Sequence, residues 1–178
     1  MADVSVRPAT VADVEQIARI HIDTWRTGYA TILPASVLDT LNTAAAERAW
    51  RAAITAPPSP RHRVLVAFEQ EWHVGFAASA PADDLQPDDP SPETTVSLAP
   101  LLVEPRWGRR GHGSRLLAAF VDHARQDQMT RAISWIPEAD TASREFLQSA
   151  GWMPDGLVRA LDTGDGELRE VRLHVSLD

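Results

Sequence analysis

The sequence predicts an α/β fold built on a mixed parallel and antiparallel sheet. Three observations predict it. Short apolar segments of strand character alternate along the chain with amphipathic segments at helical spacing. Two strand candidates are separated only by the polar pair Gln70-Glu71, which implies an antiparallel hairpin. An apolar segment, Thr94 to Val103, runs through a glycine-containing turn into a further amphipathic helix, so strands and covering helices are interleaved.

The elements follow in order. Ser5-Val6-Arg7-Pro8 is a strand candidate. Thr10 stands three residues before Asp13, a helix start of the capping-box type. Val14, Ile17, Ala18, His21 and Trp25 follow at helical spacing, which predicts a helix from Val11 to Thr27 that Gly28 ends. Pro34 opens a second helical stretch through Leu41, and Ala44 to Ala56 reads as a third, stopped by Pro57-Pro58-Ser59-Pro60. Arg63 to Glu69 and Trp72 to Ala80 are the two strands of the hairpin. Pro81 to Pro92 is a loop rich in proline and aspartate, and Thr94 to Val103 is the next strand. Gly111 to Gln126 is a helix with Leu116, Leu117, Phe120, Val121 and Ala124 on its buried side. Ala132 to Ile136 is a short buried strand, and Thr141 to Ala150 a helix closed by Gly151. Leu157 to Leu161 and Glu167 to Ser176 form two final strands around Thr163-Gly164-Asp165-Gly166.

Composition bounds the function. A chain of 178 residues with no internal repeat and no dividing linker is expected to form one domain, residues 1–178. No apolar run is long enough for a membrane span, and Met1-Ala2-Asp3-Val4 has no leader character, so a soluble cytoplasmic protein is expected. A formal charge of −8 argues against nucleic acid as the main partner. Cysteine is absent, which excludes disulfides and thiolate catalysis. The 17 basic residues are all arginine; codon usage is the plain reading, yet it also excludes a P-loop lysine and Schiff-base chemistry. The six histidines form no metal-ligand pattern, and no metal is expected.

The chemically informative segment is Leu101-Leu102-Val103-Glu104-Pro105-Arg106-Trp107-Gly108-Arg109-Arg110-Gly111-His112-Gly113-Ser114. Glycines at a helix start let the backbone approach a ligand, and the first N–H groups of the helix favour an anion. Arginines flank the turn, so a diphosphate cradle is one reading and a turn that merely needs glycine is the other. A dinucleotide fingerprint is excluded, because Leu116 stands where its third glycine belongs.

This segment resembles the acetyl-CoA motif of the GNAT N-acetyltransferase superfamily, Gln/Arg-x-x-Gly-x-Gly/Ala. Val6-Arg7-Pro8-Ala9-Thr10 is similar to the family's first strand and turn. Trp25-Arg26-Thr27-Gly28-Tyr29 with Leu33-Pro34 is similar to its first helix and loop. Asp140 through Phe146 to Gly151-Trp152 resembles its Asn-x-x-Ala-x-x-Phe-Tyr-x-x-x-Gly-Phe segment. The resemblance covers nearly the whole chain. It implies a GNAT-like central sheet of about seven strands flanked by helices, with a splayed pair of parallel strands, Thr94–Val103 and Ala132–Ile136. It implies acetyl-CoA as donor, with the pantetheine arm along Leu101, Leu102 and Val103 and the pyrophosphate on backbone amides from Arg109 through Arg110, Gly111, His112 and Gly113 to Ser114. Asp140, Ser143 and Phe146 complete the donor side. Arg109 and Arg110 add positive charge there. Gly108 departs from the motif's first position, Asp140 replaces asparagine and cannot donate when ionised, and Leu147 replaces the tyrosine that often protonates the thiolate.

The implied activity is transfer of an acetyl group to a primary amine, of a small molecule or a peptide, by direct attack on the thioester. A non-catalytic acyl-CoA-binding or sensing domain is the alternative, and a homodimer is left open. Tyr29, the only tyrosine, is the candidate acid or acceptor contact; packing alone is the other reading. Glu104, at the strand end, is a candidate base or a solvated carboxylate. His21 reads as a satisfied, partly buried histidine or as a catalytic one, and His112 as pointing to solvent. Asp83, Asp84, Asp88, Asp89 and Glu93 are a solvated loop or a rim that attracts a cationic amine. Trp25 and Trp135 are candidates to face the cleft.

Overall fold

A computed structural model describes residues 3–178; Met1 and Ala2, part of the N-terminal segment read above, lie outside the described residues. Seven strands form one sheet in the order β1-β2-β3-β4-β5-β7-β6. They are β1 (Val4–Pro8), β2 (Arg63–Glu69), β3 (Trp72–Pro81), β4 (Thr95–Val103), β5 (Arg131–Pro137), β6 (Met153–Asp162) and β7 (Glu167–Ser176). The helices are α1 (Val14–Gly28), α2 (Ala35–Asp39), α3 (Thr43–Thr55), α4 (His112–Gln126) and α5 (Thr141–Ser149). The mixed sheet expected from the sequence is present: β4 and β5 pair in parallel and the other neighbours are antiparallel.

Strand alternation divides the core between the two faces of the sheet. On β2, Val64 and Val66 turn to one face and pack with Ile17, Ile20 and Phe76. Leu65 and Ala67 turn to the other and pack with Leu116, Leu117 and Phe120 of α4. The apolar stripe predicted for α4 is therefore its buried face, with Val121 at the margin.

Three boundaries differ from expectation. The first helix does not start at Val11: a 3-10 turn covers Val11–Asp13 and α1 begins at Val14. Asp13 explains the break. Its carboxylate accepts the Thr10 amide (2.7 Å), two bonds from Arg7 (2.8 and 2.9 Å) and a contact from His73 (2.8 Å). Burial pushes the Asp13 pKa up, but these partners outweigh it and hold the carboxyl below the usual range. The strand expected at Leu157–Leu161 extends back to Met153, because β6 is the edge strand and accommodates Pro154 and a left-handed Gly156 at a register shift. Between β4 and α4 lies a 3-10 turn, Pro105–Trp107, that the spacing did not announce.

The aspartate-rich loop is tied down. Arg172 of β7 is 2% exposed. Its guanidinium bonds both oxygens of Asp89 and, through Nε, Asp155 Oδ2 at 2.6 Å. Arg131 joins Asp89 at 3.1 Å, and Asp84 pairs with Arg159 at 2.6 Å. The solvated-loop expectation holds for Asp83, Asp88 and Glu93, which are exposed, but not for Asp84 and Asp89. No helix among the described residues is long and apolar enough to cross a membrane.

Candidate active site

The site begins where β4 and β5 part. Their parallel ladder ends at Ser97 and Ile133, and Ser134 Oγ donates to the Leu98 carbonyl at 2.7 Å. On its other side β4 slips against β3: Ala77 faces Leu101 while Ser79 faces Leu98, so β4 carries one extra residue in Ala99–Pro100. A bulge bends its strand, and a proline that cannot donate to the ladder sits well there. Beyond this point the two strands diverge around a cleft of about 640 Å³, walled by Leu98–Leu102 and Ser134–Pro137. The splayed pair expected from the sequence is this feature.

A second cleft, of about 770 Å³, opens at the start of α4. Its floor is the predicted turn: Leu101, Val103, Arg109, Gly111, His112, Gly113 and Ser114 all line it. Arg109 (φ 59°) and Gly111 (φ 82°) are both left-handed, backbone of the kind from which anion-binding turns are built. Gly111 caps α4 without a side chain, so no side-chain oxygen occupies the helix start. A Cβ at Gly113 would stand 3.3 Å from Phe146 Cζ. These features fit a diphosphate held by amides with its arm running past Gly113.

Not every residue of the turn faces this cleft. Arg110 folds back to Glu69 (3.2 Å) and over the Trp107 ring (4.9 Å), away from the phosphate position expected for it. His112 is buried, not directed at solvent. Its Nε2 lies 2.8 Å from Glu69 Oε2, and its ring packs edge-on to Trp107. Only the His112 backbone is therefore available to the turn. Arg115, not singled out in the sequence, bonds the Arg110 carbonyl (3.0 Å) and covers Gly111.

The two clefts meet. Leu101, Ser143 and Phe146 line both, forming a neck between them. Leu102 lines the first cleft only. Asp140 caps α5 beside the neck, with Oδ1 accepting the Ser143 amide at 3.0 Å. Its Oδ2 accepts the Tyr29 hydroxyl at 2.9 Å, which joins two site candidates 111 residues apart. Burial, reinforced by the Asp140 charge, raises the Tyr29 pKa, so the phenol keeps its proton. Leu147 is buried and lines the first cleft, where it supplies no proton.

Glu104 lines neither cleft. Arg19 and Arg106 each hold its Oε1 at 3.1 Å, which turns the carboxylate away from the cleft it was expected to serve. His21 does line the first cleft. Trp50 Nε1 donates to its Nδ1 at 3.1 Å, so the ring proton sits on Nε2, and burial lowers its pKa. It is a neutral donor, not a base. Trp25 and Trp135 line the cleft as expected, and sequence reading missed Glu170, which lines it too. No signal on β7 alone marked that glutamate among its charged neighbours.

Residues 39–152 match the model of the Acetyltransferase (GNAT) family. Over 136 residues the chain is 29% identical to the uncharacterized N-acetyltransferase YuaI of Bacillus subtilis (strain 168), covering 76% of this chain and 72% of that protein. An N-acetyltransferase from Staphylococcus aureus Mu50 superposes with a TM-score of 0.75 at 18% identity, covering 99% of this chain and 100% of that one. The PaiA N-acetyltransferase from Thermoplasma acidophilum, solved in complex with coenzyme A, superposes with a TM-score of 0.77 at 13% identity, covering 98% and 99% of the two chains.

Proposed function

Since the chain belongs to the GNAT acetyltransferase family and is an acetyl-CoA-dependent N-acetyltransferase, we propose that its two clefts divide the reaction between donor and acceptor. We read residues 1–178 as one catalytic domain, an assignment supported by a single sheet spanning Val4 to Ser176. The carrying observation is the shared neck at Leu101, Ser143 and Phe146. The second cleft takes the pyrophosphate on the amides from Arg109 to Ser114, with Arg109 as the cation lining it. The pantetheine arm passes Gly113 and Phe146 and lies along Leu101–Val103. Acetyl-CoA supplies the activated acetyl thioester; the chain supplies position and charge.

The first cleft receives a primary amine, of a small molecule or a peptide terminus. An alkylamine of lysine-like pKa is neutral in only roughly one molecule in two thousand at pH 7. Desolvation against Trp25, Leu33 and Trp135 favours the neutral form. The start of α4 and the unpaired edge of β4 direct N–H groups toward negative charge.

The direct test is release of coenzyme A. The protein has no cysteine, so a thiol reagent reports only the product. Coenzyme A at a hundred times its Kd is expected to add about 2.7 kcal/mol of stability, seen as a melting-temperature rise of several degrees. No rise at millimolar coenzyme A would refute the donor site.

Tyr29 is assigned to position Asp140 and the first turn of α5. Its hydroxyl proton is directed at Asp140, so it is not the proton source for the thiolate. Tyr29→Phe is expected to lower kcat/KM by about tenfold, with coenzyme A affinity within about twofold of the parent. A hundredfold loss confined to kcat, with the alkaline limb of the pH profile removed, would make the phenol the general acid instead.

A further inference from the structure

The acceptor end of the first cleft has a chemistry of its own. Away from β4, its walls are mostly apolar, with Trp25, Leu33, Val37, Trp135, Leu161 and Leu168, and His21, Tyr29, Asp162 and Thr163 are among the polar residues that also line it. Two indoles from different elements and four aliphatic side chains make a surface that water solvates poorly. Within this wall one acidic side chain is buried: Glu170 is 8% exposed. Its Oε2 accepts from Arg159 Nε at 2.7 Å, and its Oε1 has no protein partner among the described residues. Arg159 does not cancel that charge alone, because its Nη1 also pairs with Asp84 at 2.6 Å. The guanidinium lies over the Trp135 ring at 4.4 Å, which fixes the carboxylate and the indole relative to each other.

A largely buried carboxylate whose second oxygen is accessible and has no protein partner can receive a cation or a donor there. An apolar wall around it disfavours any second charge on the same molecule, since an unpaired buried charge is strongly penalised. Resting on the donor and acceptor assignment above, we propose that the acceptor is a primary amine carried on an aromatic or comparably flat apolar body, its ammonium group received by Glu170 on entry and losing one proton to water before the neutral nitrogen attacks the thioester. Polyamines and polyhydroxylated amines are disfavoured, because the Trp25, Leu33 and Leu168 part of the wall would desolvate their further charges and hydroxyls, and few polar side chains, Asp162 and Thr163 among them, stand by to receive them. Glu170 is a specificity residue: it selects and places the nitrogen at the mouth of β5, where Pro137 is its register partner.

The test uses the full-length protein, saturating acetyl-CoA and thiol release. 2-Phenylethylamine and tryptamine are expected to show kcat/KM at least tenfold above spermidine and kanamycin. Glu170→Gln is expected to raise KM for 2-phenylethylamine at least tenfold while KM for acetyl-CoA changes less than twofold. The uncharged isostere 2-phenylethanol should inhibit the parent and the variant equally, since it never used the charge. Polar polyamines turned over as well as the aryl amines would overturn the proposal. So would acetylation of neither aryl amine by a protein that coenzyme A still stabilises. An equal loss of 2-phenylethanol inhibition in the variant would reduce Glu170 to a structural partner of Arg159 and overturn its assigned role. Loss of coenzyme A stabilisation in the parent would instead strike the donor assignment beneath it.

Discussion

Replacing Gly113 by valine is expected to lower coenzyme A affinity by more than a hundredfold while the protein stays folded. A Cβ at this position would lie 3.3 and 3.5 Å from Phe146 ring atoms and 3.9 Å from Leu101 Cδ2. Alanine therefore asks Phe146 to give by a few tenths of an ångström. Valine adds two further methyl groups between Phe146 and Leu101, the side chains that form the neck. Gly113 has no positive φ and belongs to α4, so the backbone itself tolerates substitution. A hundredfold loss corresponds to about 2.7 kcal/mol of binding. Calorimetric titration of the parent, Gly113→Ala and Gly113→Val should give a graded series, with circular dichroism unchanged. Equal affinity across the three would place the donor arm elsewhere.

Arg172→Leu is expected to destabilise the protein by about 3–5 kcal/mol, through a mechanism unrelated to ligand. The guanidinium carries most of the compensation for Asp89 and Asp155, and Asp89 is itself almost fully buried. Its removal leaves the two carboxylates to Arg131 alone, at 3.1 and 3.4 Å. Replacing Asp89 by asparagine in the same variant should recover part of the loss, since one of the stranded charges disappears. Acid dependence carries the same signature. Hydrogen bonds from Arg172 hold the Asp89 pKa below its ordinary value, against burial. The resulting stabilisation is complete above about pH 4, the unfolded value, and is lost as the pH falls toward the folded one. Urea denaturation should show the gap between parent and Arg172→Leu closing as the pH drops from 5 to 2. A gap that is constant with pH would mean that Arg172 acts by packing on Trp135 alone.

Much of the frame was legible because it depends on local pattern. The stripe on α4 is set by helical spacing, and the hairpin of β2 and β3 by a two-residue polar link. β7 was bounded correctly at Glu167 and Ser176. The Arg109–Ser114 turn was legible because a left-handed Gly111 and a close-packed Gly113 are requirements that glycine meets. What escaped is long-range pairing. Glu170 and Arg172 lie on β7 among charged residues, like an ordinary solvent face, and only Arg159, Asp89 and Asp155 from elsewhere make them a buried network. Glu104 was misplaced in part for the same reason: Arg106 is two residues on, but its other partner, Arg19, lies 85 residues away. Arg110 was expected at the phosphates and His112 in solvent, but both are gathered in by Glu69 of β2.

The neck at Leu101, Ser143 and Phe146 bears on the order of events. Apart from those three residues, the two clefts that it joins are lined by different side chains. On the proposed division of donor and acceptor, coenzyme A would withdraw past α4 by the route its precursor entered, and the acetylated amine would depart past Trp25 and Leu161 by the other. Neither product would then stand in the other's exit. Turnover in such a passage imposes no queue, so a slow departure on one side leaves the opposite mouth free to reload.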